Sequence, residues 1–299
     1  MTHTFRANGK LLLSSEYFIL DGAVGLALPT RFGQTLTVEP SAEKGIFWKS
    51  QDYENKVWFE AQFSESLEIV AASNNETAKT LQQILRASQI SNPQFQITTT
   101  LDFPNNWGLG SSSTLISLLS QWIGVEPYGL LAATFGGSGY DIACATAKQA
   151  ITFRKTQILS APEVQAVDFN PPFRHQLYFV YLGKKQNSRE GISHYKSLPI
   201  NKADYIEQLT DITYKMAGAI DLDEFAFYMR LHENLIADVL QLPKVKDLYF
   251  DDFPGSVKSL GAWGGDFVLV ACDESPELIT QYFVNKGFPT VLDFDTMIL

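Results

Sequence analysis

Cysteine is nearly absent. The 299 residues contain two, Cys144 and Cys272, each in an apolar stretch: Ile142-Ala143-Cys144-Ala145 and Leu269-Val270-Ala271-Cys272. That count and spacing exclude a disulfide scaffold and a paired-cysteine metal site. Two buried, reduced thiols are expected instead. Basic residues are also in deficit, 23 Lys and Arg against 33 Asp and Glu, for a net charge of -10. Broad nucleic-acid binding needs clustered cations and does not fit. An anionic small molecule still fits, because backbone N–H groups and a few local cations hold a phosphate. Long apolar runs are missing, and none approaches the roughly 20 residues of a spanning helix. Near the N-terminus Arg6 and Lys10 flank only Leu11 to Leu13 before Ser14-Ser15-Glu16, which is not a signal-peptide pattern. No membrane association and a cytoplasmic location are therefore expected. Fixed-period repeats and low-complexity tracts are absent as well.

What is present is an ordinary globular composition, 45% hydrophobic and 19% charged, sufficient for one large or two smaller domains. Lys10 to Leu13, Ala23 to Pro29 and Gln34 to Val38 read as strands, with Asp21-Gly22 as a turn and a short helical turn equally compatible with Glu16 to Leu20. Residues 76–88 read as a helix with Ala78, Leu81, Ile84 and Leu85 on one face and Asn75 as its cap. Phe95, Ile97, Thr99 and Leu101 alternate as in a half-buried strand. Helices are expected at Ser112 to Ile123, 128–135, 140–149, 202–220, 223–240 and 276–286. Further strands are expected at Ile151 to Arg154, Leu177 to Leu182, Phe267 to Ala271 and 290–294. The polar segment 156–174, with Pro162 and Pro171-Pro172, is the candidate boundary between domains of 1–174 and 175–299. Strands and helices without strict alternation indicate α+β.

Between a strand and a helix lies Pro104-Asn105-Asn106-Trp107-Gly108-Leu109-Gly110-Ser111-Ser112-Ser113. Glycines let backbone approach an anion, and a helix N-terminus offers unpaired N–H groups. The segment is not a Walker A loop, lacking Gly-Lys-Ser/Thr, nor a dinucleotide fingerprint, lacking the third glycine. Taken alone it equally suits a plain glycine turn with a serine cap. Three other segments accompany it: Asn8-Gly9-Lys10 followed by Glu16-Tyr17, then Gly137-Ser138-Gly139-Tyr140-Asp141, then Lys258-Ser259-Leu260-Gly261-Ala262-Trp263-Gly264-Gly265-Asp266.

Together, in this order, the four segments resemble the GHMP kinases, named for the galactose, homoserine, mevalonate and phosphomevalonate kinases. The resemblance runs from Asn8 to Ala271. It implies a two-lobed α+β fold, an N-terminal lobe like ribosomal protein S5 domain 2 and a ferredoxin-like C-terminal lobe, with the active site between them. It implies ATP and Mg²⁺ as cofactors. The ATP phosphates would lie on Asn106, Gly108, Leu109, Gly110, Ser111, Ser112 and Ser113, with Ser112 as the Mg²⁺ ligand and Ser111 close behind. Lys10 and Asp141 would be catalytic, Lys10 offsetting negative charge and Asp141 taking the proton of an alcohol acceptor. Lys10, Glu16, Ser138 and Gly139 would meet the substrate, and Gly261, Ala262, Gly264, Gly265 and Asp266 would complete the site. Lys184, Lys185 and Arg189 follow a strand where relatives have a substrate-side loop, although a solvated loop explains them too. Arg31 is a weaker candidate. As isolated residues, Lys10 would suit a solvated strand end and Asp141 a helix cap. His232 and Glu233, on a predicted helix, read as a surface or packing pair.

Tyr17, the Gly-Ser-Gly-Tyr before Asp141, and Asp266 resemble phosphomevalonate kinases. Mevalonate kinases carry a Mg²⁺-binding glutamate about eleven residues before the catalytic aspartate, where this sequence has Leu130, and Glu126 falls one helical turn too early. Asn8 replaces a proline, Ser14-Ser15 a small-Gly pair and Trp263 a glycine. A Trp there would block the loop from nucleotide or stack on a base. The implied reaction is phosphoryl transfer to phosphomevalonate or mevalonate, and the expected partner is a small anionic substrate. A kinase for another alcohol such as homoserine or a sugar, and a nucleotide- or metabolite-binding protein without turnover, both stay open. A diphosphomevalonate decarboxylase fits less well, and a homodimer is left open.

Overall fold

The structure, a computed structural model, describes residues 1–158, 161–184 and 188–299. Strand β1 (His3–Leu12) pairs antiparallel with β2 (Gly25–Pro40). The two expected runs at Ala23 to Pro29 and Gln34 to Val38 are thus one 16-residue strand. Thr30 to Phe32 bridge the two runs at an irregularity in the ladder, where the register with β1 shifts between the Asn8–Gly33 and Lys10–Pro29 pairs. A 3-10 turn, Phe18–Asp21, lies between β1 and β2.

Three strands that the sequence did not announce follow: β3 (Gly45–Gln51), β4 (Val57–Phe63) and β5 (Ile69–Ala72). Helix α1 (Asn75–Ala87) buries Ala78, Leu81, Ile84 and Leu85 as its 3.6-residue spacing requires. Its cap is Asn74 rather than Asn75. Asn74 has extended backbone and its side chain accepts from Thr77 N–H, the geometry that a cap needs. β6 (Gln94–Leu101) lies between β3 and β2, parallel to β3. Helices α2 (Ser111–Ile123), α3 (Pro127–Thr134) and α4 (Tyr140–Thr146) come next, α4 ending three residues short of its expected bound. β7 (Ile151–Arg154) and β8 (Glu163–Ala166) close the sheet in the order β5-β4-β3-β6-β2-β7-β8, with β1 on β2. Strand β8 lies inside the polar segment 156–174 that reads as a boundary.

The second sheet begins with β9 (Leu177–Tyr181), buried along its whole length. α5 (Ser188–Ser197) comes from a segment that reads as loop at its start. α6 (Lys202–Ala217) and α7 (Leu222–Leu240) follow, α6 three residues shorter than expected, and then a single turn, α8 (Val245–Tyr249). β10 (Ser256–Ser259), β11 (Phe267–Ala271), α9 (Pro276–Asn285), β12 (Val291–Asp293) and α10 (Phe294–Met297) complete the chain. The strand order β10-β11-β9-β12, all antiparallel, is a ferredoxin-like arrangement. The fold is α+β.

One apolar core serves both sheets. Leu11, Leu28, Phe103 and Leu109 pack in the same cluster as Phe179, Phe225 and Phe267. A second cluster lies between α1, α2, α3 and the first sheet. Full burial of each such side chain contributes about 1.5–3 kcal/mol, so this shared core is a large part of what holds the two sheets together. Cys144 and Cys272 are buried and unpaired. Among the described residues no helix is long and apolar enough to cross a membrane.

Candidate active site

The glycine-serine segment is clamped from two sides. Lys10 N–H donates to the Leu109 carbonyl (3.0 Å), joining the segment to β1. Gly9 makes that approach possible, since a side chain there would meet Thr30 Oγ1 at 2.6 Å and the Leu109 carbonyl at 3.0 Å. On the other side Trp107 packs against Phe32 and Phe267, and Tyr181 donates to the Asn106 carbonyl (3.0 Å). Leu109 is wholly buried. Gly108 has φ +69° with Asp266 directly over it, so a Cβ would fall 2.0 Å from the carboxylate. Gly110, at φ +89°, is the N-cap of α2 and has no side chain to accept from the first turn. The unpaired amides of that turn therefore face outward with the positive end of the helix dipole.

Lys10 extends across this loop. Its ammonium donates to the Gly108 carbonyl (3.1 Å) and lies over the Tyr140 ring at 5.6 Å. Burial pulls the ammonium down, but Tyr140, Asp141 and Asp266 outweigh it, and the pKa is raised. Lys10 is a permanent cation here. Burial, with Asp141 adding and Lys10 opposing, pushes the Tyr140 phenol up to about 12, so it stays neutral.

Asp141 is in the first turn of α4, capped by Gly139 at φ +94°. Asp141 is therefore not the cap, and its carboxylate is directed elsewhere: Oδ2 accepts from Ser113 Oγ. Asp266, at φ +44°, comes from the turn between β10 and β11, and its N–H donates to the Lys184 carbonyl (2.9 Å).

These groups border one cavity of about 340 Å³. Lys10, Gly108, Gly110, Ser111, Ser112, Ser113, Ser138, Asp141, Gly261, Ala262 and Asp266 all line it. Glu16 lines it as well, but one carboxylate oxygen is held by Lys258 Nζ. Asn106, Gly139, Gly264 and Gly265 shape the surrounding turns without reaching the cavity wall, and Leu109 belongs to the core. Lys184 is exposed and outside the wall. Lys185 and the side chain of Arg189 lie outside the described residues. Arg31 is turned away, donating to the Asp295 carbonyl (2.7 Å).

Trp263 corrects both expectations made for it. It is 9% exposed and packs with Tyr17 and Tyr195. Its indole donates to the Pro243 carbonyl (2.9 Å) and its backbone N–H to Tyr17 Oη (2.9 Å). It neither blocks the loop nor presents a face to the cavity. Leu130 is buried in the core beside α1, and Glu126 uses its carboxylate on the Tyr128 and Gly129 amides at the start of α3. No acid takes the place of the absent glutamate on α3.

A second charged group is sealed behind Glu16. Lys258, wholly buried, bonds Glu16 Oε1 and the Ser259 carbonyl. Glu233 Oε1 accepts from Ser259 N–H (3.1 Å), and His232 Nε2 accepts from Ser15 N–H (2.7 Å). With Nε2 accepting, the imidazole proton is on Nδ1. Burial and Lys258 hold the ring well below its ordinary pKa, so it is neutral. Burial raises the Glu16 carboxyl against the opposing pull of Lys258. His232 and Glu233 are thus a buried pair, not a surface one.

Sequence reasoning missed the apolar wall: Leu12, Ile19, Leu20, Leu131, Phe135 and Ile192. Ile192 belongs to α5, whose signal was the pair Ile192 and Tyr195 three residues apart in a charged stretch. Tyr195 donates to Asp21 (2.6 Å), and Lys202 pairs with the same carboxylate (2.9 Å), tying α5 and α6 to the turn that carries Ile19 and Leu20.

The oxygens on the wall suit a hard cation. Mg²⁺ takes one or two carboxylates and completes its shell with water and phosphate oxygens, and Ser112, Asp141 and Asp266 are oxygen donors of that kind. Among the described residues no cluster of three acidic, His or Cys side chains forms a self-sufficient metal site.

No family model and no curated protein matches this sequence. Solved structures do resemble it. Streptococcus pneumoniae phosphomevalonate kinase, in complex with phosphomevalonate and AMPPNP, aligns over 97% of this chain and 99% of its own at 13% identity and TM-score 0.72. L. major mevalonate kinase, in complex with R-mevalonate, aligns over 98% of this chain and 95% of its own at 14% identity and TM-score 0.68. Lactococcus lactis galactokinase, complexed with galactose, aligns over 100% and 93% at 12% identity and TM-score 0.70. The chain carries the fold of the GHMP kinases over nearly its whole length.

Proposed function

We propose that this protein is an ATP-dependent kinase that phosphorylates the hydroxyl of a small acceptor. The observation that carries the reading is the convergence of the Gly108 to Ser113 loop, Lys10 and Asp141 on one cavity. The amides at the start of α2 and the Lys10 ammonium hold and neutralise the phosphates. Asp141, positioned by Ser113, receives the acceptor's proton as the new O–P bond forms and the bond to ADP breaks. Ser112 and Asp266 are the wall oxygens that would hold Mg²⁺, which would supply charge neutralisation between the phosphates.

The resemblance suggests mevalonate and its 5-phosphate as acceptors. A carboxylate on the wall favours an alcohol over a phosphate, because a phosphate is already anionic and needs no base. A second reading, nucleotide or metabolite binding without turnover, draws support from Leu130 being buried where a metal-binding glutamate would stand.

ADP release measured with mevalonate, phosphomevalonate, homoserine, galactose and simple alcohols tests the proposal. Turnover is expected with at least one alcohol, and Asp141→Asn is expected to reduce it by about 10²–10⁴-fold with nucleotide binding retained. Tight nucleotide binding with no turnover on any acceptor supports the second reading. Near-normal turnover in Asp141→Asn removes the base assignment.

A further inference from the structure

We propose that Tyr17 and Gly191 form a joint that positions the acceptor side of the cavity. The Tyr17 hydroxyl holds the turn between β10 and β11, and α5 rests on the same hydroxyl because Gly191 has no side chain. The inference rests on the kinase reading only for which ligand these walls meet. Tyr17, itself on the cavity wall, accepts from Trp263 N–H (2.9 Å). Trp263 follows Gly261 and Ala262, both on the wall, in the turn that sets Asp266 over Gly108 of the phosphate loop. On the other side of the phenol lies α5. A Cβ at Gly191 would fall 2.7 Å from Tyr17 Oη, 3.2 Å from Cε1 and 3.3 Å from Cζ. Ile192, the next residue, is on the cavity wall, away from the phosphate loop and beside the turn that carries Ile19 and Leu20.

Gly191 is in a helix, where its backbone is one that any residue adopts. Glycine is the least favourable residue for a helix interior after proline, so what it provides at 191 is close approach. One turn on, Tyr195 of the same helix stacks on the Tyr17 ring, with centroids 5.6 Å apart. Tyr17 is not free to retreat. Its backbone has φ +64° and ψ -49°, a conformation that a bulky residue keeps only where its surroundings fix it. They do so from both sides. Ser15 N–H donates to His232 (2.7 Å) and Glu16 is paired with Lys258, while the Trp263 bond and the Tyr195 stack hold the ring. A methyl group at 191 would therefore displace α5, and Ile192 with it, before it displaced the phenol.

Gly191→Ala, Tyr17→Phe and the double variant test the joint in the full chain. Amide hydrogen exchange reads the seating of α5 without any ligand. ADP release with mevalonate, phosphomevalonate, homoserine, galactose and simple alcohols reads the acceptor wall. Gly191→Ala should speed exchange in α5 and raise the acceptor KM by about tenfold or more, the scale on which an apolar contact is felt, with kcat and the KM for ATP changed far less. Helix propensity alone gives the opposite result, slower exchange, because alanine favours the helix. Tyr17→Phe removes the nearest of the three contacts, so adding it to Gly191→Ala should return most of the protection of α5 and most of the acceptor KM. By itself it leaves Trp263 N–H without its acceptor and should speed exchange at 261–266 while α5 stays protected. Thermal melts check folding. If Gly191→Ala does not fold, recovery of folding on adding Tyr17→Phe supports the joint and no recovery overturns it. Unchanged or slower exchange in α5 overturns the proposal, and so does a double variant whose losses add. A loosened α5 with an unchanged acceptor KM overturns it as well, because the joint would then hold a wall that no acceptor meets. A wild type that releases no ADP overturns the kinase reading instead, while the exchange pattern and its rescue still decide the joint.

Discussion

Lys10 and Lys258 both face carboxylates, Lys10 on the wall of the cavity and Lys258 sealed behind it. Around Lys10 the partners lie on the cavity wall: the ammonium donates to the Gly108 carbonyl, and Tyr140, Asp141 and Asp266 stand close enough to raise its pKa. Around Lys258 the partners are closed in. Glu16, the Ser259 carbonyl and Glu233 surround it, and His232 abuts Glu16 at 3.2 Å. The first group retains a face for a ligand. The second joins the Ser15-Glu16 loop to α7 and β10, elements more than two hundred residues away in the chain. On the proposed function, the same residue types serve chemistry or architecture according to whether a cavity reaches them.

That contrast predicts opposite phenotypes for the two lysines. Lys258→Met leaves Glu16 buried without its cation, and removing one partner of such a pair costs about 3–5 kcal/mol. Denaturant unfolding should show that loss, while the folded fraction keeps its turnover, and adding Glu16→Gln should recover part of the stability. A stable Lys258→Met protein without turnover would place Lys258 in the chemistry and dissolve the distinction. Lys10→Met should do the reverse. Loss of one positioned donor costs about 10²–10³-fold in transfer, with ATP affinity changed less than about tenfold. Equal losses in both would move Lys10 from the reacting group to nucleotide holding.

The sequence makes the Lys10 side of the comparison legible and hides the Lys258 side. Glycine and serine at fixed offsets announce a loop because the backbone itself demands them, as Gly9, Gly108 and Gly110 show. Where a large side chain turns is a tertiary matter. The substitution at Trp263 signals a change in the loop, but Tyr17 and Pro243 decide that the ring leaves the cavity. The Glu16–Lys258 pair spans 242 residues, a separation that no local pattern encodes. Helix α5 is not announced by its own periodicity, because Tyr195 packing on Tyr17 and Phe18 holds it in place. The choice between Asn74 and Asn75 as cap is a one-residue phase that two identical neighbours leave open.

The smallest expected effect sharpens the comparison through pH. Burial first, with Glu16 adding and Lys258 and Ser259 opposing, pushes Glu233 from 4.5 up to about 7. A carboxyl raised on folding favours the protonated folded state. Its contribution is fully present below about 4.5, falls as pH rises through 7 and is level above that. Wild-type stability should therefore lose roughly 1–3 kcal/mol to this group between about pH 5 and pH 8. Glu233→Gln removes the titration, so the wild type minus variant difference should slope downward across that window. Taking the difference cancels the carboxylates common to both proteins, including Asp21, whose bonds to Tyr195 and Lys202 lower its pKa against the effect of burial and tilt stability the other way. Unfolding curves at a series of pH values provide the measurement. A flat difference would mean that Glu233 is ionised throughout, and that Lys258 neutralises both buried glutamates where the closed geometry of the cluster calls for one of them to keep its proton.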